Sequence, residues 1–279
     1  MLVLLLLLMA AALPAAASDV EVHQCIEEAL DRLYNFDFAG THRILDKHIA
    51  ESPEDPLGPG MRAAAYLFYE LDRLAILESE FFEDDKKIAS KKKLKPDPLI
   101  QERLKAALAE TELLAAKRLE RDPNDVNALF ALCLKEGVLT DYKALVEKRG
   151  LSSLKNARAS NKHAVRLLKV EPEFYDAYLT TGINEYLIGS LPFFIRWFVR
   201  MEGVKGSKKQ AFTNLELVAA KGRYLGPFAK ILLSIICLRE GQPERARALL
   251  AELSARYPEN PLLRKELAKV TEKLRKGEI

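Results

Sequence analysis

Four prolines constrain this chain more than any other feature. They stand in Ser52-Pro53, Asp122-Pro123, Glu171-Pro172 and Tyr257-Pro258, each after one apolar helical period and before a fresh one. Proline has no N–H to donate and drives the preceding residue out of the helical region, so each pair ends one helix and sets up the next. Between these marks apolar residues recur every three or four positions. No stretch sustains strand alternation, and no Asn-Gly or Asp-Gly hairpin signal appears. The chain of 279 residues is therefore expected to be all-α.

The period predicts helices over about 20–36 and 41–51, then a loop at Pro56, Gly58, Pro59 and Gly60, and a longer helix from Met61 to Phe82. Residues 83–97 form a charge-rich stretch with six lysines, read as a solvated loop. Helix resumes at Pro98 and runs to Arg121, and another covers Asn124 to Gly137. A more polar pattern follows from Thr140 to Val170, with Gly150 as a natural break. Glu173–Ile188 precedes an aromatic block, Leu191 to Arg200, and Ser207 supplies an N-cap for the helix ending near Gly222. Pro227–Glu240, Pro243–Arg256 and the amphipathic Asn260–Lys276 complete the chain.

The first residues point to export. Met1–Ala12 carries no charge, Pro14 breaks the apolar run, and Ala15-Ala16-Ala17 offers the small residues a signal peptidase requires. The segment is too short to span a bilayer as a helix. The expected organisation is a signal peptide at 1–17, helical hairpins at 18–82, a charged loop at 83–97 and a helical array at 98–279. Net charge is +3, which gives no footprint for nucleic acid. Cys25, Cys133 and Cys237 lie far apart on apolar helical faces, as buried free thiols do, although one disulfide plus one free thiol is the alternative in an oxidising compartment.

The terminal hairpin carries the clearest repeat signal. Ala246 stands twelve residues before Pro258, Leu250 eight before it, and Gly241-Gln242-Pro243 makes the turn. These are tetratricopeptide offsets, in which a small residue lets paired helices approach closely. The marker prolines are 70, 49 and 86 residues apart, so a strict 34-residue period does not hold. The expected fold is a right-handed superhelical solenoid of tetratricopeptide-like hairpins with an aromatic insertion. A further series runs Tyr175-Asp176-Ala177-Tyr178, Gly182, Tyr186, Gly189, Leu191-Pro192, Gly203, Gly206, Leu215, Ala219-Ala220 and Tyr257-Pro258-Glu259-Asn260-Pro261. In these residues the chain, from Asp122 to Leu267, resembles the bacterial relatives of the tetratricopeptide repeat protein 39 family, which includes a fungal mitochondrial outer-membrane and inclusion-clearance protein. The resemblance implies a helical-repeat fold and a non-enzymatic, interaction-type role, with no catalytic residues to carry over.

Signs of chemistry are sparse. The four histidines form no H-E-x-x-H, and no G-x-S-x-G or phosphate-loop spacing occurs. No cofactor is implied. Tyr175, Tyr178, Asn184 and Tyr186 cluster in sequence and are the candidate lining of a concave groove for a protein partner. Phe193, Phe194, Trp197 and Phe198 are the candidate insertion patch. They either pack over the array, dock a partner, or touch a membrane interface with Arg196 and Arg200 at hand. The expectation is an exported, periplasmic or secreted scaffold or adaptor of a bacterial envelope. The alternatives are a small-ligand-binding periplasmic component of a transporter, which needs a closed apolar pocket, and a peripheral membrane-interface protein.

Overall fold

The computed structural model describes residues 19–77, 95–190 and 206–279. The leader at 1–17, most of the charged stretch and the patch Phe193, Phe194, Trp197 and Phe198 lie outside the described residues. The described residues are all-helical, and the helices pack in consecutive pairs as in a tetratricopeptide-like solenoid.

The first pair is α1 (Asp19–Tyr34) and α2 (Phe38–Glu51). The second is α3 (Leu57–Arg73) and α4 (Pro98–Arg121). The third is α5 (Val126–Asp141) and α6 (Gly150–Val170), joined through a π turn at Tyr142–Val146. The fourth is α7 (Tyr178–Gly189), entered through a 3-10 turn at Tyr175–Ala177, and α8 (Lys208–Lys221). The fifth is α9 (Gly226–Arg239) and α10 (Pro243–Arg256), and α11 (Pro261–Lys276) packs on α10 as a final single helix.

Two kinds of turn alternate along this array. Between hairpins stands the proline turn. The residue before each marker proline keeps its N–H on the fourth carbonyl back: Ser52 to His48, Asp122 to Arg118, Glu171 to Leu167 and Tyr257 to Leu253, each at 2.8 Å. Two residues after the proline the chain bonds back to the start of the turn, as Asp125 N–H does to Asp122 O at 3.1 Å. That residue then caps the next helix. Asp125 Oδ1 accepts from Ala128 N at 2.8 Å, and Asn260 Oδ1 accepts from Leu262 N and Leu263 N. The third turn has Phe174 at this position, which cannot accept, and there the chain enters α7 through the 3-10 turn instead. Within the first, second, third and fifth hairpins the turn includes a left-handed residue. Phe36, Ala75, Lys148 and Gly241 all have positive φ, and Asp37 N–H to Arg32 O, Ile76 N–H to Leu71 O and Gln242 N–H to Cys237 O are the long-range bonds of the Schellman motif.

Several boundaries differ from the sequence reading, and three of them bear on the packing. Gly58, Pro59 and Gly60 are helix, not loop: α3 starts at Leu57. Proline is tolerated in a first turn, where N–H groups have no intrahelical acceptor. Gly58 is needed because a Cβ there would stand 2.7 Å from Ile49 on α2. The same helix ends at Arg73 rather than Phe82, since Ala75 turns left-handed. The helix expected to stop at Gly137 continues to Asp141.

Both long connections leave and return at fixed points. Glu70, fully buried, accepts two N–H groups of Arg73 and the N–H of Asp97, all at 2.8 Å, so the end of α3 is tied to the start of α4. Between α7 and α8, Glu185 accepts from Ser207 N at 2.7 Å. Gly206 also lies so close to Gly189 that a Cβ would stand 2.7 Å from its nitrogen.

The first and last hairpins touch. Tyr34 OH donates to Tyr224 O at 3.1 Å, Asn260 Nδ2 to Tyr34 O at 2.8 Å, and Tyr257 OH to Asp31 at 3.1 Å. Arg223 pairs with Glu27, and the hydroxyl of Tyr224 meets His23. The loop between α8 and α9 is in turn held by Asp176. Its buried carboxylate accepts from Arg223 N at 2.9 Å, Tyr224 N at 3.0 Å and Leu225 N at 2.7 Å.

Asp176→Ala leaves three backbone N–H groups without their acceptor, and is expected to lower stability by about 3–5 kcal/mol in urea denaturation, given about 1.5–3 kcal/mol for each charged hydrogen bond and incomplete additivity. A loss under about 1 kcal/mol would contradict this role. Ala75→Gly relieves a left-handed alanine and should raise stability by about 1 kcal/mol in the same assay; no gain would count against strain at that turn.

Candidate functional site

An apolar cavity of about 170 Å³ lies where the two halves of the array face each other. Leu30, Leu33 and Tyr34 of α1 and Met61, Ala64, Leu67 and Phe68 of α3 form one side. α5, α6, α7 and the start of α9 form the other. Phe68 of α3 and Phe228 of α9 meet edge to face at 5.5 Å between ring centres and bridge the two sides, and Phe130 stacks on Tyr224 at 5.7 Å within the second side.

The helix spacing of α5 explains its contribution. Phe130, Leu134, Gly137 and Asp141 follow each other at four, three and four residues, which puts them on one face. All four line the cavity. Asp125 fixes where that helix begins, through its cap and through Arg118 Nε at 2.7 Å. The π turn Tyr142–Val146 follows Asp141 directly; such widened turns recur at functional sites.

The polar groups of the lining are almost all used by the protein itself. Thr140 donates to Glu136 O, Ser160 to Cys133 O, and Asn184 Nδ2 to Thr180 O at 3.0 Å. The Cys133 thiol lies 3.2 Å from Thr180 Oγ1 and 3.5 Å from Ser160 Oγ. Burial pushes its pKa up, which keeps it a thiol and unreactive. Burial also raises Asp176, against its three N–H donors. Asp141 is different. It is half-buried; its carboxyl has no hydrogen bond or ion pair among the described residues, and loss of water around it at the cavity wall pushes it up to about 7.

The four candidate groove residues do not share one surface. Asn184 lines the cavity. Tyr186 is buried on another side of α7, donates to Glu240 at 3.0 Å and carries Lys208 over its ring, so it ties the fourth hairpin to the fifth. Tyr178 packs in the cluster around Leu215 and Leu233. Tyr175 lies in a separate surface depression with Lys221 4.9 Å over its ring. Asp141 was not among the sequence candidates. The available signal was a carboxylate on an apolar stripe, hidden because Gly137 read as the end of its helix.

All three cysteines are free, with Cys133 and Cys237 buried and Cys25 half-buried. Among the described residues no group of three or more His, Cys, Asp or Glu is placed to hold a metal ion, and no helix is long and apolar enough to cross a membrane.

Residues 227–270 match the family model of the tetratricopeptide repeat. They cover nearly all of α9, the whole of α10 and the first part of α11, the segment where Ala246 and Leu250 are buried between helices. One tetratricopeptide repeat is thus recognised within the helical array. No curated protein and no solved structure matches it.

The lone carboxyl makes a pH prediction. Asp141 binds its proton more tightly in the folded chain than unfolded, so its contribution is most favourable below about pH 4, declines as pH rises through about 7, and is level above that. Between pH 5 and pH 8 it should remove about 2–3 kcal/mol of stability at most. Asp141→Asn should lose that much less over the same interval in urea denaturation. Equal slopes for the two proteins would show that Asp141 titrates normally.

Proposed function

We propose that this protein is an exported, non-enzymatic scaffold of the bacterial cell envelope that binds a segment of a protein partner. The observation that carries the reading is the tetratricopeptide repeat at 227–270 within an array of paired helices, since such repeats generally mediate protein interactions. The uncharged leader Met1–Ala12 followed by Ala15-Ala16-Ala17 supports export. The resemblance of 122–267 to the bacterial relatives of the tetratricopeptide repeat protein 39 family supports an interaction role rather than catalysis.

The partner surface in this reading is centred on Tyr175, with Lys221 and Arg223 beside it. A tyrosine ring flanked by cations suits an extended segment bearing acidic side chains. In a bacterial host the mature protein should appear in the envelope fraction with Ser18 as its first residue on N-terminal sequencing. Retention of Met1 in the cytoplasmic fraction would end the export proposal. The variant Tyr175→Ala should lose at least about tenfold in recovery of a partner that the unaltered protein captures from envelope extract, as loss of about 1.4 kcal/mol or more requires. Unchanged recovery would exclude this surface.

A further inference from the structure

Beyond the scaffold reading, we propose that the central cavity is a binding site for a small apolar amine, with the Asp141 carboxylate receiving its ammonium group. Three observations carry this. The space is real and apolar: about 170 Å³ walled by groups such as Phe68, Phe130, Ile183 and Phe228. A dry cavity of ~150 Å³ suffices for a benzene ring. The cavity also has a mouth, because Leu187 both lines it and stands 58% exposed on α7.

The third observation is charge. A carboxylate in an apolar wall is normally answered by a cation or by several donors. Asp141 has neither among the described residues. The other titratable groups of the lining are Tyr34 from α1, Cys133 from α5 itself and Asp176 ahead of α7; α3, α6 and α9 contribute none. Tyr34 is committed to Tyr224 O, and Asp176 to three N–H groups. The nearby lysines are spent elsewhere: Lys135 on Glu112 and Glu136, Lys143 on Asn156. Among the described residues the cavity therefore presents one unanswered negative group and no positive one. Asn184 adds a second acceptor, since only its Nδ2 is used by the chain. An ammonium donates and carries the compensating charge. An anionic or purely apolar guest would leave the carboxylate desolvated.

The test uses calorimetric titration of the purified full chain with 2-phenylethylamine and, in parallel, with 3-phenylpropionate, which has the same ring and the opposite charge. The amine should bind at pH 8, and the carboxylate should bind at least about tenfold more weakly. Because only ionised Asp141 pairs with the ammonium, affinity for the amine should rise about tenfold from pH 6 to pH 8 for a group titrating near 7. Asp141→Asn, verified as folded by circular dichroism, should lose the pH dependence and at least tenfold in affinity for the amine. Ala157→Phe, at the half-buried edge of the lining, should abolish binding by filling the space. If Asp141→Asn does not fold, the pH profile of the unaltered protein and the Ala157→Phe result decide the matter. Absence of amine binding at pH 8, equal binding of the two probes, or a pH-independent affinity would each overturn the proposal. Loss of partner capture by the tyrosine variant with amine binding intact would separate this site from the scaffold surface.

Discussion

The buried carboxylate of Asp176 is the point on which the halves of this molecule meet. Its three backbone donors, at 223, 224 and 225, hold the one inter-hairpin loop that has no proline turn. That loop presents Tyr224, whose carbonyl receives Tyr34 and whose ring stacks on Phe130. A charge taken out of water is tolerated only when its lone pairs are met, and here they are met by backbone rather than by a cation. The consequence is positional: α1 is brought onto the fifth hairpin, and the space between the halves becomes the cavity.

Much of this was legible in the sequence, and the physical reasons are specific. The proline pairs announce helix ends by steric necessity, and all four stand at hairpin boundaries. Their uneven spacing has a simple origin. The interval of 49 between Pro123 and Pro172 spans one hairpin. The interval of 86 spans two, because the boundary between the fourth and fifth hairpins uses Asp176 instead of proline. The interval of 70 spans one hairpin with a long connection. The cap at Ser207 was also readable, since a side-chain oxygen beside a new apolar period has little else to do.

What was not legible depended on contacts distant in sequence. Glycine has two uses, as a helix terminator and as room for a neighbour, and local spacing does not separate them. Gly58 belongs to the second use, while Gly137 stands mid-helix where a Cβ would meet only Ser160 Oγ at 3.7 Å, and reading them as a loop and an end hid Asp141 and shortened α3. Tyr175, Tyr178, Asn184 and Tyr186 fall within twelve positions yet face different neighbours, because a helix turns through a full circle in under four residues. The meeting of α1 with residues near 224 and 257 has no local signature at all.

The bonds between α1 and the last hairpin also change what tension would do to the array. In an open solenoid each repeat touches only its neighbours, so force applied at the two ends extends the chain like a spring and releases terminal repeats first. Here that force meets Tyr34, Asn260, Tyr257 and Asp31 before it reaches any interface between hairpins. The molecule is therefore built as a buckled strap, stiff until the buckle opens and extensible only afterwards.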